Sequence, residues 1–436
     1  MLRAFVNSFK VPDLRNKIFF TLFVIAVYRL GSHVPVPVVD IEILQDALDQ
    51  QGQSGFLSFI DLFSGGALTR MAVFGLGIMP YITSSIIMQL LTVVIPKLEQ
   101  WQKQGEQGTK KINQWTRYVT VVLALLQSTG LVFLFNSADP QSGLGIGRSI
   151  FPEGEFTAPN IMLIVLVMTA GTAMIMWMGE LITQRGIGNG MSILIFASVI
   201  SRLPQDGRAI LLTGGTARFI TILVIGLGII VAVIFIEQGQ RRIPVQYAKR
   251  VVGRRMTAGG STYIPLKVNQ SGVIPIIFAS SLLYFPTLLA SVYHAAWFQN
   301  LINNYITNQR SLVYMATYGL LVIFFAYFYT AIAFNPVDTA DNLRKYGGFV
   351  PGIRPGPPTA DYLSFVLTRI TLPGSMFLAV IALLPAIFIA YFLPAQALQQ
   401  FPFGGTSLLI TVGVALETMK QLESQLLMRH YEGFLR

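Results

Sequence analysis

Ten stretches of mostly apolar residues constrain this chain more than any other feature. They run roughly 18–34, 71–95, 116–135, 160–179, 188–203, 218–236, 271–293, 312–334, 372–393 and 404–428. A helix needs about 20 such residues to cross the hydrocarbon core of a bilayer. Only 12% of the chain is charged against 53% hydrophobic, and a soluble domain carries roughly twice that charged share. The expected fold is therefore all-α and membrane-integral, with lipid as the main solvent. The fifth stretch is short and starts at a glycine cluster, and the tenth turns amphipathic from Glu417 onward. The first ends in Tyr28-Arg29-Leu30 and then Pro35 and Pro37, with no small-residue cleavage pattern. It is expected to stay as a permanent helix.

Basic residues set the orientation. With ten spans both termini share a side, and that side holds 24 of the 31 Lys and Arg residues, leaving 7 for the other. The positive-inside rule puts the richer side, and both termini, in the cytoplasm. Two loops on that side stand out. Loop 237–270 carries Arg241, Arg242, Lys249, Arg250, Arg254, Arg255 and Lys267 against the single acid Glu237. Loop 335–371 carries Arg344, Lys345 and Arg354 in a run dense in Gly and Pro. Topology control needs only a few charges near helix ends. For the first loop two readings stand: plain topogenic charge, or docking of a cytoplasmic polyanion or acidic surface.

On the opposite side, Phe59-Ile60-Asp61-Leu62-Phe63-Ser64-Gly65-Gly66-Ala67-Leu68 is an apolar stretch stopped by glycines and too short to span. It is either an interfacial helix or a re-entrant segment, and the second is tolerable only if buried in protein or lining a cavity. The second and seventh spans share a pattern. Gly77-Ile78-Met79-Pro80-Tyr81-Ile82 and Gly272-Val273-Ile274-Pro275-Ile276-Ile277 both read Gly, branched, apolar, Pro, any, Ile. Spans five apart in order lie in opposite orientations, so the match points to inverted halves, about 1–203 and 218–428, of one transmembrane domain covering 1–436. Such halves place functional sites at their interface.

The chemistry that is missing narrows the function. The span centres hold no Asp, Glu, Lys, Arg or His; Arg29 and Glu417 lie near helix ends. A secondary transporter of a small solute, the rival function, usually keeps an intramembrane carboxylate for its coupling ion. There is no Walker A motif, no His-Glu-x-x-His and no Gly-x-Ser-x-Gly elbow. The cluster Gly186-Ile187-Gly188-Asn189-Gly190 follows a helix, so it reads as a tight turn. With no cysteine and three distant histidines, neither a metal site nor a cofactor is expected. The chain is expected to be no enzyme, its energy supplied by partners. A membrane scaffold without a pore is a third reading. Ile78 and Ile82 share one helix face at i, i+4, as do Met191 and Ile195, but apolar residues so spaced ordinarily face lipid or neighbouring helices.

Long segments, in order along nearly the whole chain, carry a resemblance. They include Phe63-Ser-Gly-Gly-Ala-Leu68, Leu76-Gly-Ile-Met-Pro-Tyr-Ile82, Gln89-Leu-Leu-Thr92 and Arg185-Gly-Ile-Gly-Asn-Gly190. Gly239-Gln-Arg-Arg242, Pro265-Leu-Lys-Val-Asn269, Phe349-Val-Pro-Gly-Ile-Arg-Pro-Gly356 and Phe403-Gly-Gly-Thr-Ser-Leu-Leu-Ile410 continue it. The sequence resembles the SecY family, the central subunits of the bacterial protein-export translocon. That resemblance implies a protein-conducting channel of the cell membrane: ten helices in two inverted five-helix halves around an hourglass pore. It implies a pore ring of Ile78, Ile82, Ile195, Ile277 and Ile410, with Met191 a looser match. It implies a plug over Phe59–Leu68, and a lateral gate between spans two and seven with Gln89 and Asn269 at its polar positions. Signal sequences and membrane-protein helices would leave through that gate into lipid. The basic loops match docking sites for the SecA ATPase and the ribosome, with Arg254 and Arg255 at the first loop's tip and Arg354 in the second. SecE and SecG are the implied small membrane partners. The tail before span one is short for the family, which leaves N-terminal contacts without support.

Overall fold

A computed structural model describes residues 9–39, 61, 63–136, 156–247, 250–252, 255–257, 261–292, 296–307, 311–392 and 405–432. The helices, in order, are α1 (Pro12–Gly31), α2 (Met79–Val94), α3 (Pro96–Lys103), α4 (Glu106–Asn136), α5 (Ala158–Arg185) and α6 (Gly190–Gln238). After a set of strands come α7 (Ile274–Val292), α8 (Ala296–Ile302), α9 (Leu312–Ala333), α10 (Pro336–Lys345), α11 (Pro357–Phe392) and α12 (Gly405–Glu432). Local chemistry accounts for their starts. Asn189 accepts from Met191 N and Ser192 N at the head of α6, Ser311 accepts from Val313 N before α9, and Asn335 accepts from Val337 N and Asp338 N before α10. Each side chain satisfies backbone donors that a helix start leaves orphaned.

Among the described residues, five helical segments are long and apolar enough to cross a membrane: Glu106–Phe133, Ala158–Arg185, Gly215–Gln238, Leu312–Lys345 and Pro357–Leu384. The pair α2 and α3 adds a sixth if counted as one broken span, bent by 100°. Ile95 is extended there, as a residue before proline prefers, and Pro96 restarts the helix. Shorter apolar helices cover Gly190–Pro204 and Ile274–Leu283. Only 11% of the Gly215–Gln238 window is buried, and Phe235, Leu223 and Val224 stand exposed. Apolar surface on this scale requires lipid or protein as its neighbour. The membrane-embedded character read from sequence is thus present.

The element boundaries depart from the sequence expectation in three places. The second span was expected from residue 71, but residues 71–78 form turns and α2 starts at Met79, because Met71 and Gly77 take left-handed backbone (φ 41° and 57°). The fifth and sixth spans join in one helix, α6, interrupted at Gly215 (φ 72°, ψ 170°). The ninth starts fifteen residues early, at Pro357 instead of 372.

The chain is also not purely helical. The loop after α6 folds into β1 (Gln240–Tyr247), β2 (Arg250–Val252), β3 (Arg255–Thr257) and β4 (Ser261–Lys267), and the loop after α10 adds β5 (Gly348–Phe349). β1 pairs antiparallel with β4 from Gln240↔Lys267 to Gln246↔Ser261, and its far end pairs with β5 at Gln246↔Phe349 and Tyr247↔Gly348. β2 and β3 form a separate hairpin. Ile243 and Val245 alternate inward with Arg242, Pro244 and Gln246 outward, the period-two pattern of a half-buried strand. They meet Leu266, Leu343, Val350, Leu363, Val366 and Leu367 in a small core of their own. The two basic loops are therefore one folded body seated on α10 and α11.

The main core lies elsewhere. It gathers residues from α1, α2, α5, α6, α7, α9, α11 and α12 together with Phe63. Buried hydroxyls there bond back to their own helix: Thr83 donates to Met79 O (3.0 Å), Thr172 to Met168 O (3.1 Å) and Thr330 to Ala326 O (2.7 Å). No polar group of these side chains is left to seek water.

Candidate functional site

The two copies of the Gly-x-x-Pro-x-Ile pattern have the same backbone. Gly77 and Gly272 are both left-handed (φ 57° and 61°). The helix begins two residues later in each case, at Met79 and Ile274, with the proline second in the helix. The first helical amides also match: Ile82 N donates to Ile78 O (3.1 Å) and Ile277 N to Val273 O (3.4 Å). Glycine is the residue that takes this conformation without steric cost, so the pattern specifies a turn as well as a composition.

That turn delivers Ile82 and Ile277 to the first turn of α2 and α7. Ile78 immediately precedes α2, Met191 and Ile195 lie in the opening turns of α6, and Ile410 lies near the start of α12. Ile78, Ile82, Ile195, Ile277 and Ile410 are all buried and belong to the main core, and Met191 packs against it half-buried. Four helix starts thus contribute to one apolar centre. These side chains are apolar and carry no hydrogen-bonding group.

Of the segment 59–68, Phe59, Ile60 and Leu62 lie outside the described residues. Asp61, Phe63, Ser64, Gly65, Ala67 and Leu68 are buried, and Gly66 is half-buried. Phe63 joins the same core as the isoleucines. The segment is tied down by polar contacts from α1 and α6. Tyr28 Oη lies 2.7 Å from Ser198 Oγ and 3.3 Å from Ser64 O, and Arg29 Nη1 donates to Gly65 O at 3.0 Å. Arg202 Nη1 lies 2.8 Å from Asp61 Oδ2. Thr69 N donates to Asp61 Oδ1 at 3.2 Å. Oδ2 receives no well-angled hydrogen bond among the described residues, so its charge is met by the guanidinium. Burial pushes the Asp61 carboxyl above the ordinary carboxylate range, and Arg202 opposes that rise. Tyr28, Ser198 and Arg202 were not singled out from sequence. An arginine inside the end of the fifth apolar run was the available signal.

Gln89 and Asn269 do not bond each other. Gln89 sits half-buried on α2 with Oε1 enclosed and unpartnered among the described residues. Asn269 is buried just before α7; its Nδ2 donates to Glu237 Oε2 (2.9 Å) and Gly272 O (3.0 Å), and Ser271 Oγ donates to its Oδ1 (3.1 Å). The asparagine therefore ties the start of α7 to the end of α6, and α2 still touches α7.

On the loop body, Arg241 and Arg242 are exposed at the start of β1, and Arg242 stacks over the Tyr263 ring at 4.8 Å. Arg354 is exposed beyond β5, and its carbonyl accepts from Thr359 Oγ1 at 2.8 Å. Arg250 and Arg255 lie in β2 and β3. Lys249 and Arg254 lie outside the described residues. The strand pairing of β1 with β5 brings Arg241 and Arg242 of the first loop and Arg354 of the second onto one body.

A membrane-embedded chain whose helix starts meet in one apolar centre, with a short buried segment packed against it, has the make-up of a membrane channel subunit. Comparison with known proteins makes the class specific. The SecY family model matches residues 72–419. The protein translocase subunit SecY of Streptomyces galbus is 54% identical over 443 residues, and that of Mycobacterium tuberculosis strain H37Rv 51% over 446, with 100% of both chains covered in each case. Among solved structures, a protein-conducting channel aligns at TM-score 0.62 and 18% identity over 94% of this chain and 91% of its own. Sec61 in the canine ribosome–channel complex aligns at 0.59 and 18% over the same shares. These two distant likenesses establish the fold. The chain belongs to the SecY family. It is a protein-translocation channel subunit and not an enzyme.

Proposed function

We propose that this chain is the passive, gated pore of a cell-membrane translocon, built from ten helices as two inverted halves with both termini in the cytoplasm. The observation that carries the reading is the meeting of Ile78, Ile82, Ile195 and Ile277 with Ile410, from four separate helix starts, in one buried core that also takes Phe63. On this reading the isoleucines, with Met191, form a ring that seals by excluding water and yields to an unfolded chain. Residues 59–68 form the plug above it. The contact of α2 with α7 is the lateral gate, with Gln89 and the Asn269–Glu237 pair as its polar positions. Polar contacts in hydrocarbon contribute roughly 0.6–2 kcal/mol each, enough to hold a gate that a signal sequence can still open.

The loop body is the docking surface for SecA and the ribosome. Arg241, Arg242 and Arg354 stand exposed on it, Arg250 and Arg255 lie in the β2–β3 hairpin of the same loop, and Lys249 and Arg254 are its remaining proposed docking cations. Ribosomal RNA is a polyanion that such a surface attracts. Two fold relatives are described in ribosome complexes, canine Sec61 and yeast Ssh1. SecE and SecG are the expected cover for part of the exposed apolar helix surface. No observation favours a small-solute transporter.

The test is a photo-crosslinker at Ile82 and another at Ile277 in reconstituted vesicles, with a secretory polypeptide stalled in transit by SecA and ATP. Crosslinks from both positions to the stalled chain are expected. If neither position touches it while export runs, the path lies elsewhere and the ring assignment fails.

A further inference from the structure

We propose that Asp61 and Arg202 form an ionic latch that holds the plug closed against α6. The proposal rests on the reading of residues 59–68 as the plug. The Asp61 carboxylate is 1% exposed and Arg202 is 16% exposed, with 2.8 Å between Oδ2 and Nη1. A buried carboxylate without a countercharge is strongly unfavourable, and removing one partner of such a pair strands the other. The closed position is therefore the one in which each charge has its partner. Once the plug lifts into a hydrated funnel, water solvates both groups and the attraction falls with the rising dielectric.

Geometry gives the latch its specificity. Gly65 packs directly on α6: a Cβ there would lie 3.1 Å from Ser198 Cα and 3.2 Å from Ser198 O. One turn further along the same helix stands Arg202, level with Asp61. From α1, Tyr28 stacks on Phe74 with 5.8 Å between ring centroids, and its hydroxyl reaches both Ser198 and Ser64. Arg29 secures Gly65 O. The ion pair is thus the charged member of a four-point seat. All four partner residues lie on α1 and on α6 before the Gly215 break, none on α7. None of these contacts is made by α7, so on this proposal parting α7 from α2 does not by itself break the latch.

The experiment measures resting ion leak through the assembled translocase in vesicles, for the unaltered chain, Asp61→Asn, Arg202→Gln, the double variant, Arg202→Lys and a deletion of residues 60–67. Each neutral single variant is expected to raise the leak at least about fivefold, the lower end of a typical coupling. The double variant should leak no more than the worse single variant, the signature of a coupled pair. Arg202→Lys keeps the charge and should leak less than Arg202→Gln. The deletion separates the two claims. If it leaks while both neutral singles stay tight, or if the singles add in the double, the latch is overturned and the plug stands. Equal leak from Arg202→Lys and Arg202→Gln also overturns the latch. If the deletion stays tight, the plug reading falls and the latch with it.

Discussion

Gly77 and Gly272 hold the same place in the two copies of the repeat, and alanine at each separates two energetic costs. Both are left-handed, where an added Cβ costs about 1–2 kcal/mol. Their surroundings differ. At Gly272 a Cβ would meet nothing within 4 Å, whereas at Gly77 it would lie 2.9 Å from Ser64 Cα and 3.0 Å from Phe63 O. Those neighbours are backbone atoms, so no rotamer change relieves the overlap. The backbone strain belongs to the entry of α2 or α7 and persists wherever the plug sits. The overlap at Gly77 disappears only when residues 63 and 64 back away. Overpacking of this kind costs roughly 1–3 kcal/mol, which would multiply the unseated population by about 5 to 150. The assay pairs thermal unfolding with resting ion leak in vesicles. Both variants should lose comparable thermal stability, and only Gly77→Ala should leak. Equal leak from Gly272→Ala, or a tight Gly77→Ala channel, would refute the claim that this contact seats the plug.

Three further outcomes are expected. Arg354→Glu should block SecA-driven export of a preprotein while the protein remains folded by thermal melt; normal export would remove the docking role of that side chain. Ile243→Ala truncates a residue 1% exposed in the loop-body core, at a cost of about 2–5 kcal/mol. It should speed limited proteolysis within 237–270 without raising resting leak; unchanged cleavage would mean that the strand core does not hold the loop. Ile82→Gly together with Ile277→Gly should raise leak while a channel with the plug intact is at rest, and a tight double variant would show that the seal does not depend on the ring.

Much of this was legible in the sequence because lipid imposes strong rules. Long apolar runs with charges mostly between them could be read directly, and the Gly-x-x-Pro-x-Ile match, read as a sign of inverted halves, marks two helix entries with the same left-handed glycine. What escaped depended on distance along the chain. The basic loop 237–270 reads as irregular by composition, yet Ile243 and Val245 alternate with polar neighbours, and the partner that completes their core, Val350 on the other loop, is about a hundred residues away. The α2 start was misplaced because Gly75 and Gly77 interrupt a run whose hydropathy is continuous. Arg202 escaped because nothing local ties it to Asp61, 141 positions earlier in the chain. Asn269 could be assigned to a polar position by its motif, but its bond to Glu237 joins the two ends of the intervening strand region and needs the β1–β4 register to be seen.

The distribution of polar contacts also bears on how such a channel can be both tight and permissive. A seal made of hydrogen bonds would have to exchange them with every passing residue. The isoleucine core has none to exchange, and its resistance to water scales with apolar surface. On the proposed reading, retention of the plug falls to different atoms: Tyr28 Oη, Arg29 Nη1, Ser198 Oγ and Arg202 Nη1, of which only Tyr28 has its side chain in that core. Phe63 and Tyr28 link the two, since both pack in the isoleucine core while Ser64, next to Phe63, accepts from Tyr28. Displacing Phe63 would therefore strain the polar seat at the moment the core is opened. On the proposed reading, a chain that wedges into the ring would do part of the work of unlatching the plug. Phe63→Ala should uncouple the two. The seat would remain, the core would lose a large buried side chain, and leak should rise without the change in Asp61–Arg202 coupling that a double-mutant cycle reports. A coupling that vanished with Phe63→Ala would instead mean that the ion pair depends on the packing beneath it.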